Sequence, residues 1–271
     1  MANGHWSLDD IPWQAFDPSK VDPELVKIIK AASLVEYNGR DYADYLCNVF
    51  PDDEAFQAAA KAWALEEVQH GEALGRWAEL ADPTFDFETS FKRFRDGYQI
   101  PVEAEQSVRG SRSGELVARC IVEVGTSSHY ASMATITEEP VLKAICQRIA
   151  ADELRHYKLF YGHLKRYLER EGIGRWRRIA VALGRIGETE DDELAYAFYA
   201  ANESRRPYDR KLHGQGYLKR AYACYRLEHV RRAVAMIFKA AGLNPQSRLA
   251  ALVSQFYFNV LRWRSRRMAA I

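Results

Sequence analysis

In the stretch Ala150-Ala151-Asp152-Glu153-Leu154-Arg155-His156-Tyr157, Glu153 and His156 stand three residues apart. On a helix that spacing sets both side chains on one face, about one turn from each other, where a carboxylate and an imidazole can grip one metal ion. The same device occurs earlier, as Glu67 and His70 in Leu65-Glu66-Glu67-Val68-Gln69-His70. A lone glutamate precedes each pair at a matched interval: Glu36 lies 31 residues before Glu67, and Glu123 lies 30 before Glu153. Isolated Glu and His on helices are usually solvated or simply packed, so two pairs alone would be weak evidence. The matched upstream glutamates make coincidence a poor account. An acidic residue also stands just before each pair's glutamate, Glu66 and Asp152. A metal-bound His usually donates its other N–H to such a carboxylate, which makes both acids candidate supports.

One Glu on each of two helices, with Glu-x-x-His on each of two more, is the ligand set of a ferritin-like di-iron four-helix bundle. The expected fold is therefore all-α, with Glu36, Glu67, His70, Glu123, Glu153 and His156 as metal ligands. Three segments are expected: an irregular lead-in over 1–21, the bundle over 22–171 with a crossover at 82–112, and a basic helical extension over 172–271 packed on the bundle.

The helix signals agree. Asp22-Pro23 makes an N-cap and first turn, and Pro51 stops the helix after Phe50. Leu25, Ile28, Ile29, Ala32, Val35, Gly39 and Ala43 keep a helical period with Glu36 inside their apolar stripe, where a carboxylate is costly unless paired or metal-bound. Asp52 can cap a second helix running to about Leu80. Ser113 starts a third that ends near Glu138, and Pro140 opens a fourth that reaches Glu171 before Gly172. Further helices are expected near 188–205, 216–241 and 245–269. Trp6, Trp13 and Phe16 can pin the lead-in to the bundle.

At 271 residues and 48 % hydrophobic content, the chain can bury a sizeable core. No apolar run approaches the roughly 18–20 residues that span a bilayer. Residues 1–13 contain no apolar signal-peptide core. Cys47, Cys120, Cys146 and Cys224 are scattered, as expected of small buried residues in a reducing cytoplasm. The net charge of +1 conceals a division: residues 165–271 hold 22 Lys/Arg against 10 Asp/Glu, while residues 1–164 hold 16 against 27. A basic C-terminal part suits an acidic partner or anionic substrate, or else complements the acidic half of the same molecule.

Four carboxylates and two imidazoles suit two iron ions, or manganese, better than tetrahedral zinc. Two ferrous ions side by side can together reduce O2 by two electrons, with the protein supplying position and water exclusion.

The motifs resemble the soluble acyl-carrier-protein desaturases of the ferritin-like di-iron superfamily. Glu66-Glu67-Val68-Gln69-His70-Gly71 follows that family's Glu-Glu-x-x-His-Gly, and Ile149 to His156 follows its Ile-Ala-Ala-Asp-Glu-x-Arg-His. Glu123-Val124-Gly125-Thr126 follows its Glu-x-x-Thr, which implies that Thr126 lies near the oxygen site. The resemblance covers roughly 22–170. Around Glu36-Tyr37 it offers little beyond the Glu, and the chain is shorter than plant desaturases. It implies a homodimer that takes electrons from a ferredoxin-type donor and acts on an acyl chain held on acyl carrier protein or another acyl thioester. Both protein partners are acidic.

The residue-level reading of Thr126 is a helix Thr bonding its own backbone. Gly71, Gly125, Ser127 and Ala131 could open a substrate channel or permit close helix packing. His163 is expected to line the core or channel, and His129 and His213 are expected at the surface. Arg205-Arg206, Lys219-Arg220, Arg231-Arg232 and Arg266-Arg267 read as solvated faces. The last helix, bearing Phe256, Tyr257, Phe258 and Trp263, is expected to pack on the bundle in preference to touching a membrane. The expected activity is O2-dependent desaturation of a fatty-acyl chain in the cytoplasm. Its rivals are hydroxylation of another substrate, tRNA included, and a non-enzymatic nucleic-acid-binding protein on the same scaffold.

Overall fold

A computed structural model describes residues 5–188, 192–203 and 206–269. Arg205 and the ends of the helix expected at 188–205 include residues outside that set. Every regular element among the described residues is helical.

The bundle is built from α1 (Pro23–Tyr37), α2 (Gly39–Val49), α3 (Glu54–Ala81), α5 (Arg112–Ile136) and α6 (Pro140–Glu171), with α4 (Phe87–Gly97) in the crossover. The single helix expected from Pro23 to Phe50 is broken at Asn38. There the backbone tightens to three-residue bonds, from Asn38 N–H to Val35 O at 3.2 Å and from Asp41 N–H to Asn38 O at 3.1 Å. A Cβ on the next residue, Gly39, would stand 2.5 Å from the Glu67 Cβ. The break therefore lets the first helix pass close to a ligand-bearing turn of α3.

The caps differ by one or two residues from expectation. Asp53 caps α3 by accepting from Phe56 N–H at 3.0 Å, while Asp52 pairs with Arg112 at 2.6 Å. Ser111 caps α5 through Gly114 N–H at 3.0 Å. Glu139, fully buried, caps α6 with bonds from Val141 and Leu142 N–H, and also accepts from the Trp77 indole at 2.7 Å. Helix α6 ends at Gly172, whose φ of 63° a residue without Cβ adopts most readily.

Two apolar cores fill the bundle. One joins Ile28, Ile29, Leu74, Trp77, Met133, Ile145 and Ile149. The other joins Leu46, Phe56, Ala60, Trp63, Cys120, Phe160 and Leu164. Glu36, Glu67, Glu123 and Glu153 lie between these halves along their helices, so the candidate ligands form a polar layer within the bundle.

The C-terminal part adds α7 (Arg175–Gly187), α8 (Asp192–Asn202), α9 (Arg210–Ala223), α10 (Leu227–Ala240) and α11 (Arg248–Ala269). The segment expected at 216–241 is thus two helices, parted at Cys224–Arg226. Helices α7 and α10 pack on α5, whereas α8 and α9 pack on α1. Helix α11 packs on α9 and α10 and leaves Leu249, Leu252, Phe256 and Trp263 exposed. Some basic residues serve the molecule's own acidic half, as in the 2.6 Å ion pair of Arg220 with Glu24. No helix among the described residues is long and apolar enough to cross a membrane.

Candidate metal centre

The six candidate ligands come together. Glu36 lies in the last turn of α1, Glu67 and His70 in α3, Glu123 in α5, and Glu153 and His156 in α6; all are buried. Their ligand atoms form two overlapping groups, Glu36/Glu67/His70/Glu153 and Glu67/Glu123/Glu153/His156, each within 4.8 Å. Glu67 and Glu153 belong to both.

The histidines are aimed. His70 Nε2 is 3.0 Å from Asp152 Oδ2, and His156 Nε2 is 2.9 Å from Glu66 Oε2. A carboxylate only accepts, so each Nε2 carries the proton and each Nδ1 of the neutral ring offers its lone pair to the centre. His70 Nδ1 is 3.3 Å from Glu153 and 3.6 Å from Glu36, and His156 Nδ1 is 3.0 Å from Glu67 and 3.5 Å from Glu123. These contacts are close, yet their angles are not those of hydrogen bonds. Both Nδ1 atoms, both Glu123 oxygens, Glu67 Oε1 and Glu153 Oε1 are buried without a hydrogen-bond partner. Converging buried acceptors without donors are costly, and a pair of divalent cations would satisfy them. The residues fit such ions.

The support is crossed, because Asp152 from α6 holds the histidine of α3, and Glu66 from α3 holds the histidine of α6. Arg155 ties the two acids together, reaching Glu66 at 3.0 Å and also bonding Asp152. Trp6 in the lead-in does more than pin the chain: its indole donates to Asp152 Oδ2 at 2.7 Å, and its ring stacks on His70 with centroids 6.0 Å apart. Tyr130, absent from the sequence-derived site, donates to Glu36 Oε1 at 2.5 Å. Its only signal was its place on the α5 face, seven residues beyond Glu123.

Burial, aided by the Glu67 charge, pushes Glu36 well above the usual carboxylate range, and burial does the same to Glu123. Burial would also raise Glu67 and Glu153, but contacts from His156 and His70 hold both below that range. Burial opposes charge on the two histidines. For His70, the bond with Asp152 and the nearby Glu153 carboxylate outweigh it; for His156, the nearby Glu123 and Glu153 carboxylates and the bond with Glu66 do, and both pKa values rise well above the ordinary one.

Thr126 can donate one proton and has three acceptors in reach: Val122 O at 3.2 Å, Glu123 O at 3.1 Å and Glu153 Oε2 at 2.5 Å. Both readings of this residue therefore meet in one side chain, since the backbone bond and the contact with the centre compete. A cavity of about 210 Å³ opens beside it, lined by Glu36, Glu123, Thr126, Glu153 and also by Trp63, Ile121 and Tyr217. Gly125 lines this cavity, and a Cβ there would touch nothing within 4 Å. Gly71 instead packs against Tyr37, and Ser127 bonds Ala150 O. His129 is buried rather than superficial; it lines the cavity, burial lowers its pKa to about 4, and the Tyr217 hydroxyl lies 3.4 Å from its Nε2. His213 is buried too, with Nδ1 2.7 Å from Asp209 O. His163 meets Phe56 and Arg166, away from the centre.

Residues 48–177 match the fatty acid desaturase family. The desaturase match takes in Glu67, His70, Glu123, Thr126, Glu153 and His156 and leaves out Glu36, whose place among the ligands rests on geometry. It points to oxidoreductase chemistry on a fatty-acyl chain. No curated protein matches this chain.

Proposed function

We propose that this protein is an O2-dependent di-iron oxidoreductase of fatty-acyl chains, with desaturation as its reaction. The observation that carries the reading is the pair of buried ligand sets sharing Glu67 and Glu153, beside a cavity, with every member but Glu36 in a segment that matches desaturases. Glu36 and His70 would hold one ion, Glu123 and His156 the other, and Glu67 and Glu153 would bridge them. Iron bound there supplies the redox chemistry that O2 reduction requires, and manganese would suit the same donors.

The chain's own residues do the rest. Asp152 and Glu66 fix the histidine tautomers. Apolar walls from Trp63, Ile121 and Val122 hold an alkyl chain against Glu123 and Thr126 and keep water out. Thr126 can turn its hydroxyl from Glu153 toward the cavity and donate a hydrogen bond there. The overall balance for desaturation is one O2 taken to two waters, with two hydrogens from adjacent carbons and two electrons and two protons from outside. A ferredoxin-type donor would supply those electrons, and acyl carrier protein or another acyl thioester would deliver the chain in the cytoplasm. The basic C-terminal part supports acidic partners of that kind, and the working unit on this reading is a homodimer.

The test is anaerobic ferrous titration followed by O2 and an acyl substrate. Two irons per chain, lost in Glu153→Ala, and a product lacking two hydrogens support the reading. A product that gains one oxygen instead would make the protein a hydroxylase. Failure to bind two ions would remove its basis.

A further inference from the structure

Outside the ligand set, Arg119 is a buried charge at the cavity whose Nε is left without a hydrogen bond. It lies on α5 one turn before Glu123, is only 7 % exposed, and lines the same cavity as Glu123 and Thr126. Glu115 Oε1 stands 3.7 Å from that Nε, an ion pair without a hydrogen bond, while Glu115 Oε2 accepts from Tyr45 at 2.9 Å and Ser107 at 2.7 Å. The guanidinium otherwise sits over the Tyr42 ring, 5.0 Å from its centroid. The other charged groups at this end of the cavity are engaged: Glu193 accepts from Tyr42 at 2.6 Å, and Glu188 pairs with Arg109 at 2.5 Å. Arg185 also lines this end.

A guanidinium carries five donors in a fixed fork, and a buried one with a donor left unmatched is costly. The ligand that completes it is planar, anionic and presents two oxygens. An apolar wall of Val35, Trp63, Ile121, Val122 and Leu194 continues from it toward the metal centre. We infer that Arg119 binds the carboxylate of an amphiphilic substrate, a free fatty acid whose chain runs from the guanidinium past Thr126 and Glu123. This inference rests on the metal-centre and fatty-acyl part of the proposed function and departs from its thioester delivery, putting a free carboxylate in the carrier's place. Residues four apart on a helix are neighbours, so a carboxylate anchored at Arg119 presents carbons near the carboxyl end of the chain to the centre. The position oxidised would then be counted from the carboxylate and would stay fixed as the chain lengthens.

The experiment is calorimetric titration of the anaerobic, ferrous-loaded full chain with decanoate, decanol and the N-acetylcysteamine thioester of decanoate. Wild type should bind decanoate at least tenfold more tightly than the other two. Arg119→Gln should lose that preference while binding decanol unchanged, and Arg119→Lys should keep part of it. A carboxylate that merely ligated iron would be indifferent to Arg119. Equal affinity for decanoate and decanol in wild type, which needs no variant, would overturn the assignment. So would tighter binding of the thioester, or full decanoate affinity in a folded Arg119→Gln. Iron stoichiometry on the same preparations separates the two claims: two ions without carboxylate preference sinks Arg119 alone, and failure to bind iron sinks the reading beneath it.

Discussion

One close approach at the centre is made by a residue with no side chain, and Gly71→Ala tests what it holds. A Cβ at Gly71 would lie 2.6 Å from the Tyr37 Cβ, 2.6 Å from its backbone N and 2.7 Å from its Cα. Two of those atoms are backbone, so no rotamer change relieves the clash, and the end of α1 must move away from α3. Overpacking of this kind costs about 1–3 kcal/mol, against a helix gain of about 0.5–1 kcal/mol for replacing Gly. The net loss of roughly 1–2 kcal/mol corresponds to a melting temperature lower by about 2–8 °C for a chain of this size. Tyr37 follows Glu36, whose oxygen stands 3.6 Å from His70 Nδ1, so the movement also opens that half of the centre. Ferrous titration should show the Glu36/His70 ion weakened at least about tenfold, with the Glu123/His156 ion retained. Gly125→Ala is the control: with nothing within 4 Å it should melt at or above the wild-type temperature and only narrow the cavity. An unchanged melting temperature and two tightly bound ions in Gly71→Ala would refute the packing argument.

Other consequences are as definite. Asp152→Asn removes the negative partner of His70 Nε2 and should weaken the ion beside it by about 10–100-fold, read by competition with a chromophoric chelator; equal affinity would show that the support is idle. Thr126→Val should leave two ions bound but lower the product formed per O2 consumed, because the hydroxyl near Glu153 is gone; an unchanged ratio would remove Thr126 from the chemistry. Metal uptake should release protons, read by a pH indicator in weak buffer, because Glu36, Glu123, His70 and His156 all hold theirs more tightly in the folded chain than in free solution. The sign for stability follows. The raised histidines give stability in full below their ordinary 6.5, lost as pH rises through their folded values. The metal-free melting temperature should therefore fall above that pH while the gap to the loaded protein widens; a gap that ignores pH would contradict this.

The parts legible in the sequence were those written in helical spacing. Glu153 and His156, or Glu67 and His70, need only one helix to share a face, and Glu36 betrayed itself as a charge in an apolar stripe. Pro23, Pro140 and Gly172 fixed helix ends through local backbone chemistry. What depended on how helices meet was not legible. The break at Asn38 answers the approach of Glu67 to Gly39, a contact between residues far apart in the chain. The crossing of Asp152 to His70 and Glu66 to His156 depends on the α3–α6 pairing. His129 looked superficial because the helices that cover it, α9 and α10, follow much later. Trp6 carried no periodic signal because it lies outside any regular helix.

The most direct test of the central claim is anomalous diffraction at the iron edge from crystals grown with ferrous iron under anaerobic conditions. Two peaks are predicted, one beside Glu36 and His70, the other beside Glu123 and His156, with Glu67 and Glu153 between them. A single peak, or iron bound elsewhere, would contradict the account.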